Sequence, residues 1–94
     1  MSKVVELTQS EADRYENVHD WLKRELDLPE WYGHNLDALW DCITGHLPKP
    51  LRIRWIADSE HEERYSAIVE VFRDAADQYD DISFEYVAGR QEGG

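Results

Sequence analysis

Ninety-four residues, 41% hydrophobic and 12% aromatic, suit one small folded domain and exclude a disordered or multidomain chain. A net charge of −11, from 21 acids against 10 bases, argues against direct contact with nucleic acid or an anionic membrane and favours basic partners, beside the plainer role of solubility. No apolar run reaches the roughly 18 residues a membrane span needs. The N-terminal stretch lacks the pattern of a signal peptide, and Cys42 is the single cysteine, so no internal disulfide forms and a reducing, cytoplasmic setting is expected.

In chain order, Lys3-Val4-Val5-Glu6-Leu7 is short and β-branched, a strand. Residues 8–16 are polar and carry no clear period. Asn17, with Asp20 three residues on, caps a helix whose Val18, Trp21, Leu22 and Leu26 share one side. Pro29 forbids its continuation and pushes Leu28 to an extended form. Pro29 to His34 is a loop, with Gly33 available for an unusual backbone angle. Asn35 caps a second helix that runs to about Thr44 and stops at Gly45.

Pro48 and Pro50 make an extended connector. Leu51 to Ile56 alternates apolar and basic residues, a strand with at least one buried face. Ser59 with Glu62 reads as a capping box, and Glu60, Glu62 and Glu63 suit the positive end of a helix. Tyr65, Ile68, Val69, Phe72, Ala75, Ala76 and Tyr79 then fall on one helical face. Asp80-Asp81 ends that helix, and Ile82 to Val87 is a last strand. Residues 1–87 are expected to form one domain, with 88–94 a mobile tail that has nothing to pack. Strands separated by helices need crossovers, so the fold class is α/β: a small three-stranded parallel sheet with helices packed against it.

The second helix has two unlike faces. With Leu36 at zero, Leu39, Trp40 and Ile43 fall within about 60° and form the buried stripe, Trp40 near its border. Asp37, Asp41 and Thr44 gather on an adjacent sector. Acids four apart on a helix repel. Asp37 lies in the first turn, where the helix dipole favours an acid; Asp41 has no such support. No lysine or arginine stands three or four residues from either. Most surface acids simply face water. Here Trp31 and Tyr32 lead into the same helix end, and an aromatic beside unpaired acids makes a binding surface for a cationic partner. Tyr32 itself is read as a core or loop anchor rather than a contact. If the turn continues, His34 projects near the two aspartates, and the three could be imagined around zinc or manganese. No fourth ligand, general base or pocket wall is evident. No metal, cofactor or catalytic residue is therefore expected.

The stretch LPEWYGHNLDALWDCITG resembles the barstar family, intracellular inhibitors of small secreted ribonucleases. The likeness begins near KVV, continues through DWLKRELDLPEWYG and PLRIRW, resumes in IVEVFRDA and ISFEYV, and is weakest from Ala57 to Arg64. It implies the same three-stranded parallel fold and a monomer that binds a basic, barnase-type ribonuclease one-to-one. The second helix and its preceding loop would plug the enzyme's active site. By the resemblance, Asp41 occupies the enzyme's phosphate site and Asp37 pairs with basic groups at its rim. Trp31 falls where the family carries a tyrosine lying over the catalytic region. Asp74 falls where the best-known member has a glutamate that reaches an enzyme cation, and His46 where it has a tryptophan. Gly33, Asn35, Trp40 and Thr44 match residues that shape or border the surface. The departures at Trp31, His46 and Asp74 leave a second reading open: an immunity or binding module of the same fold for a different basic toxin or protein.

Overall fold

Alternating side chains give the sheet two unlike faces. In the computed structural model, which describes residues 3–57 and 64–87, strands β1 (Lys3–Thr8), β2 (Leu51–Ile56) and β3 (Ile82–Val87) form one parallel sheet in the order β1-β2-β3. Val5 pairs with Ile53 and Ile53 with Phe84; Leu7 pairs with Trp55 and Trp55 with Tyr86. Val5, Leu7, Leu51, Ile53, Trp55 and Ile82 are buried on the inner face. The outer face carries Glu6, Arg54 and Glu85 in one row, with Arg54 3.3 Å from Glu6 and 3.7 Å from Glu85. Val4 on this side is 70% exposed. Parallel sheets usually bury both faces and read as continuous apolar runs. This one alternates because its helices cover one face.

Between β1 and β2 lie α1 (Gln9–Ala12), α2 (Val18–Leu26) and α3 (Leu36–Gly45); α4 (Ser66–Gln78) joins β2 to β3. Trp55 is the hub of the core. Its ring meets Trp21 of α2 at 5.8 Å, Phe72 of α4 at 6.2 Å and Tyr65 at 6.3 Å. Its Nε1 donates to Oε1 of buried Gln9 at 3.1 Å. That bond gives the otherwise patternless segment after β1 a reason to form a short helix with Gln9 and Ala12 turned inward.

Local signals act mostly as the sequence indicates. Asn17 accepts from the His19 amide at 2.8 Å and Asn35 from the Ala38 amide at 2.7 Å, capping α2 and α3. The stop of α2 differs in mechanism. Asp27 takes a left-handed φ of 57° and Leu28 N–H returns to the Lys23 carbonyl at 2.9 Å. This is a Schellman closure two residues ahead of Pro29, secured by burial of Leu28. Among the described residues positive φ falls at Asp27 and His34, and at no glycine. Gly45 is the last residue of α3, which closes through the His46 and Leu47 amides on the Cys42 carbonyl, both at 3.0 Å. Leu36, at the head of the expected buried stripe, is 38% exposed, because the stripe runs out where α3 leaves the core. Tyr79 is likewise exposed, its ring 6.4 Å from that of Trp40. The capping box at Ser59 and Glu62 and the tail 88–94 lie outside the described residues.

Candidate protein-binding surface

Two adjacent aromatics in the loop before α3 have opposite fates. Tyr32 is buried and its hydroxyl lies 2.6 Å from Nδ1 of His19 on α2. Burial, with Cys42 nearby, pushes its phenol well above the usual value, so the proton stays on oxygen. Burial and the neighbouring His34 push His19 below the ordinary imidazole value, against a smaller opposing pull from Asp20. His19 is thus neutral near pH 7, and its Nδ1 shares one hydrogen with the Tyr32 hydroxyl. Trp31 points the other way and is 65% exposed. Its ring stands edge-on to His46, 5.7 Å away at 81°. The aromatic pair therefore joins the loop before α3 to the residue just beyond its end.

Along α3 itself, Leu39, Cys42 and Ile43 are buried, Ala38, Trp40 and Thr44 half-buried, and Asp37 and Asp41 exposed. The two aspartates stand one turn apart on the outer side. Among the described residues neither has an ion-pair partner; the pairs found are His34–Asp20, Arg54–Glu6, Arg54–Glu85, Arg64–Asp13 and Arg73–Glu70. Thr44 Oγ1 donates back to the Trp40 carbonyl at 2.8 Å, which holds its side chain against the helix. Cys42 is buried beneath this surface, and burial, then Asp41, push its thiol above its ordinary value.

The loop is short of space as well as slack. Asn35 Nδ2 donates to the Gly33 carbonyl at 3.1 Å, and a Cβ on Gly33 would meet that nitrogen at 3.2 Å and the Ala38 Cβ at 3.6 Å. Gly33 is a glycine here for want of room rather than for its backbone angle.

Residues 2–89 match the family described as Barstar (barnase inhibitor). The chain belongs to the barstar family. Its description is that of an inhibitor, not an enzyme. A Bacillus subtilis (strain 168) protein named "Putative ribonuclease inhibitor YrdF" is 45% identical over 53 residues, which cover 56% of this chain and 57% of that one. The chain thus spans little more than half the length of that relative.

On this barstar-family scaffold the expected contact residues sort into three groups. Trp31 and His46 touch each other, as do Gly33 with Asn35 and Thr44 with Trp40. Asp37 and Asp41 share the exposed sector of α3. Asp74 is exposed on α4, the helix that packs on α3. His34 does not join the aspartates. Its Nε2 lies 2.8 Å from Asp20 Oδ1 and its Nδ1 3.1 Å from the Tyr32 carbonyl. That removes the third ligand of the imagined metal site, and no group of three potential ligands occurs among the described residues. The His19–Tyr32–His34–Asp20 cluster behind the loop is the feature sequence reading misses. Its members are joined across 13 and 14 residues of chain, and no periodic signal links them. No helix among the described residues is long and apolar enough to cross a membrane.

Proposed function

We propose that this chain is an intracellular inhibitor of a small, basic, secreted ribonuclease of the barnase type, held one-to-one as a monomer, as in a toxin–antitoxin pair. The observation that carries the reading is the exposed Asp37–Asp41 edge of α3, without an ion-pair partner among the described residues, on the helix that follows the loop of exposed Trp31. A ribonuclease must hold a phosphate, so its site is lined with cations. A carboxylate fixed on a capped, packed helix can stand in for that phosphate. In this reading Asp41 enters the phosphate site, Asp37 meets basic groups at the rim, and Trp31 lies over the catalytic region with His46 beside it. Gly33, Asn35, Trp40 and Thr44 set the shape of the surface, and Asp74 supplies a second acidic contact from α4. No cofactor, metal, nucleic acid or membrane takes part. Asp37 and Asp41 repel each other in the free chain, and arriving cations relieve that repulsion.

Titration of a barnase-type ribonuclease with this protein should abolish RNA cleavage at one equivalent. Undiminished cleavage at a large excess rules the reading out for that enzyme class. The Trp31–His46 pair gives the rim its own outline, and this favours, as a second reading, a different basic toxin with a matching rim. Capture of such a toxin with no ribonuclease inhibited would select it.

A further inference from the structure

We infer that His34 is the positioning residue of the loop that carries Trp31, and that it acts as an imidazolium bridging that loop to α2. The role rests on the reading of this surface as ribonuclease-binding; the bridge itself does not. Both ring nitrogens face acceptors: Nδ1 the Tyr32 carbonyl at 3.1 Å and Nε2 the Asp20 carboxylate at 2.8 Å. A carbonyl oxygen and an ionised carboxylate have no proton to give. A neutral imidazole carries one N–H and would leave the other nitrogen's lone pair facing an oxygen lone pair. The doubly protonated ring satisfies both contacts at once.

The backbone supports the same conclusion. His34 takes φ of 56°, a left-handed conformation that a residue with a side chain adopts only where its surroundings hold it there. The two ring contacts supply that hold. Their position matters, because His34 is the link between the exposed Trp31 and the Asn35 cap of α3. A loop pinned there fixes where the indole stands relative to the start of α3.

The groups facing the His34 ring are Asp20 and His19 from α2 and Tyr32 from its own loop; the His19 and His34 centroids are 6.1 Å apart and those of Tyr32 and His34 5.3 Å. The two imidazoles divide the work. His19 pairs with the Tyr32 hydroxyl and stays neutral, which spares His34 a neighbouring positive charge. His34 donates twice. The bridge is complete when both His34 nitrogens carry a proton and loses one bond when either is bare.

Histidine-labelled protein in magnetic resonance, with amide exchange at Tyr32 and Ala38, tests this on the free chain. Those amides bond to the Pro29 carbonyl and to Asn35 Oδ1. Corrected for intrinsic rates, their exchange should slow by about fivefold or more between pH 8 and pH 6, in step with protons appearing on both His34 nitrogens. The step should vanish in His34→Gln and in Asp20→Asn. A parent without the step, or variants that keep it, overturns the bridge. With a barnase-type ribonuclease at pH 6, each variant should dissociate roughly threefold to tenfold faster than the parent, and the double variant no faster than either. Parental dissociation rates would overturn the positioning role while leaving the bridge. A parent that binds no ribonuclease instead defeats the functional reading, and the exchange measurement still decides the bridge.

Discussion

The hydroxyl of Tyr32 and Nδ1 of His19 share a hydrogen bond of 2.6 Å, tying the loop before α3 to the first turn of α2. Burial favours the uncharged form of both partners, a protonated phenol and a neutral imidazole. It therefore fixes how this part of the fold responds to pH.

His19 has its folded-state value lowered from 6.5, chiefly by burial. Its contribution to stability is present above that value and fades as pH falls through the lower folded value. Tyr32 is shifted upward from 10.0, so its contribution is full below that value and is lost only at strongly alkaline pH. Urea unfolding of the parent and of His19→Asn should differ in pH dependence between pH 7 and 5, the parent losing more stability on acidification. Parallel curves would show that His19 is not held neutral by the fold.

Tyr32→Phe keeps the ring and removes the donor. It leaves a half-buried imidazole nitrogen without its partner, a cost of about 1–2 kcal/mol in unfolding free energy. Thermal unfolding would register this, and an unchanged midpoint would mean that solvent replaces the hydroxyl at no cost.

Asp41→Ala should separate binding from folding. If Asp41 is buried against cations in the complex, its loss leaves those cations uncompensated, worth about 3–5 kcal/mol, or two to three orders of magnitude or more in the dissociation constant. In the free chain the change relieves an i,i+4 repulsion of about 0.2–0.5 kcal/mol, so stability should hold or rise slightly. Inhibition titrations and unfolding curves on the same preparation check both halves. A variant that inhibits like its parent removes Asp41 from the contact.

Salt offers a third handle. Charges at a docking face act over about 10 Å at 0.1 M ionic strength and over less as salt increases. Association with a basic ribonuclease should slow steeply from 50 to 500 mM salt, while dissociation changes little. An association rate indifferent to salt would show that the acids do not steer encounter.

Cys42 is buried beneath Asp41, and burial together with that carboxylate disfavours its thiolate. A thiol reagent should label the folded protein only as fast as the chain opens, and bound ribonuclease should slow labelling further. Prompt stoichiometric labelling of native protein would place the sulfur at the surface.

Periodicity made the strands and the inner faces of α2 and α4 legible, because burial on one side writes a repeat into the sequence. Asn17 and Asn35 were legible as caps for the same local reason: donor and acceptor lie within three residues. The acid pair could be placed on α3 from rotation alone, and Trp31 in the loop that Pro29 opens. What could not be read depends on contacts between distant segments. The α1 turn is set by Gln9 meeting Trp55, and the loop by His34 meeting Asp20. Gly33 drew attention as the flexible residue, whereas the left-handed angle falls on His34, which has a partner to hold it. Leu36 shows the limit of a helical wheel, which fixes direction but not where the core ends.

The segment bearing the acids is an internal link of the β1-to-β2 crossover, tethered to the sheet on both sides. Ten residues fall short of the roughly 12–15 at which a lone helix becomes even marginal in water. Excised as a peptide, this stretch would lose its shape and with it the spacing of its carboxylates. On the reading proposed above, the spacing of the carboxylates is a property of the whole architecture, and a cut in either tether would loosen it.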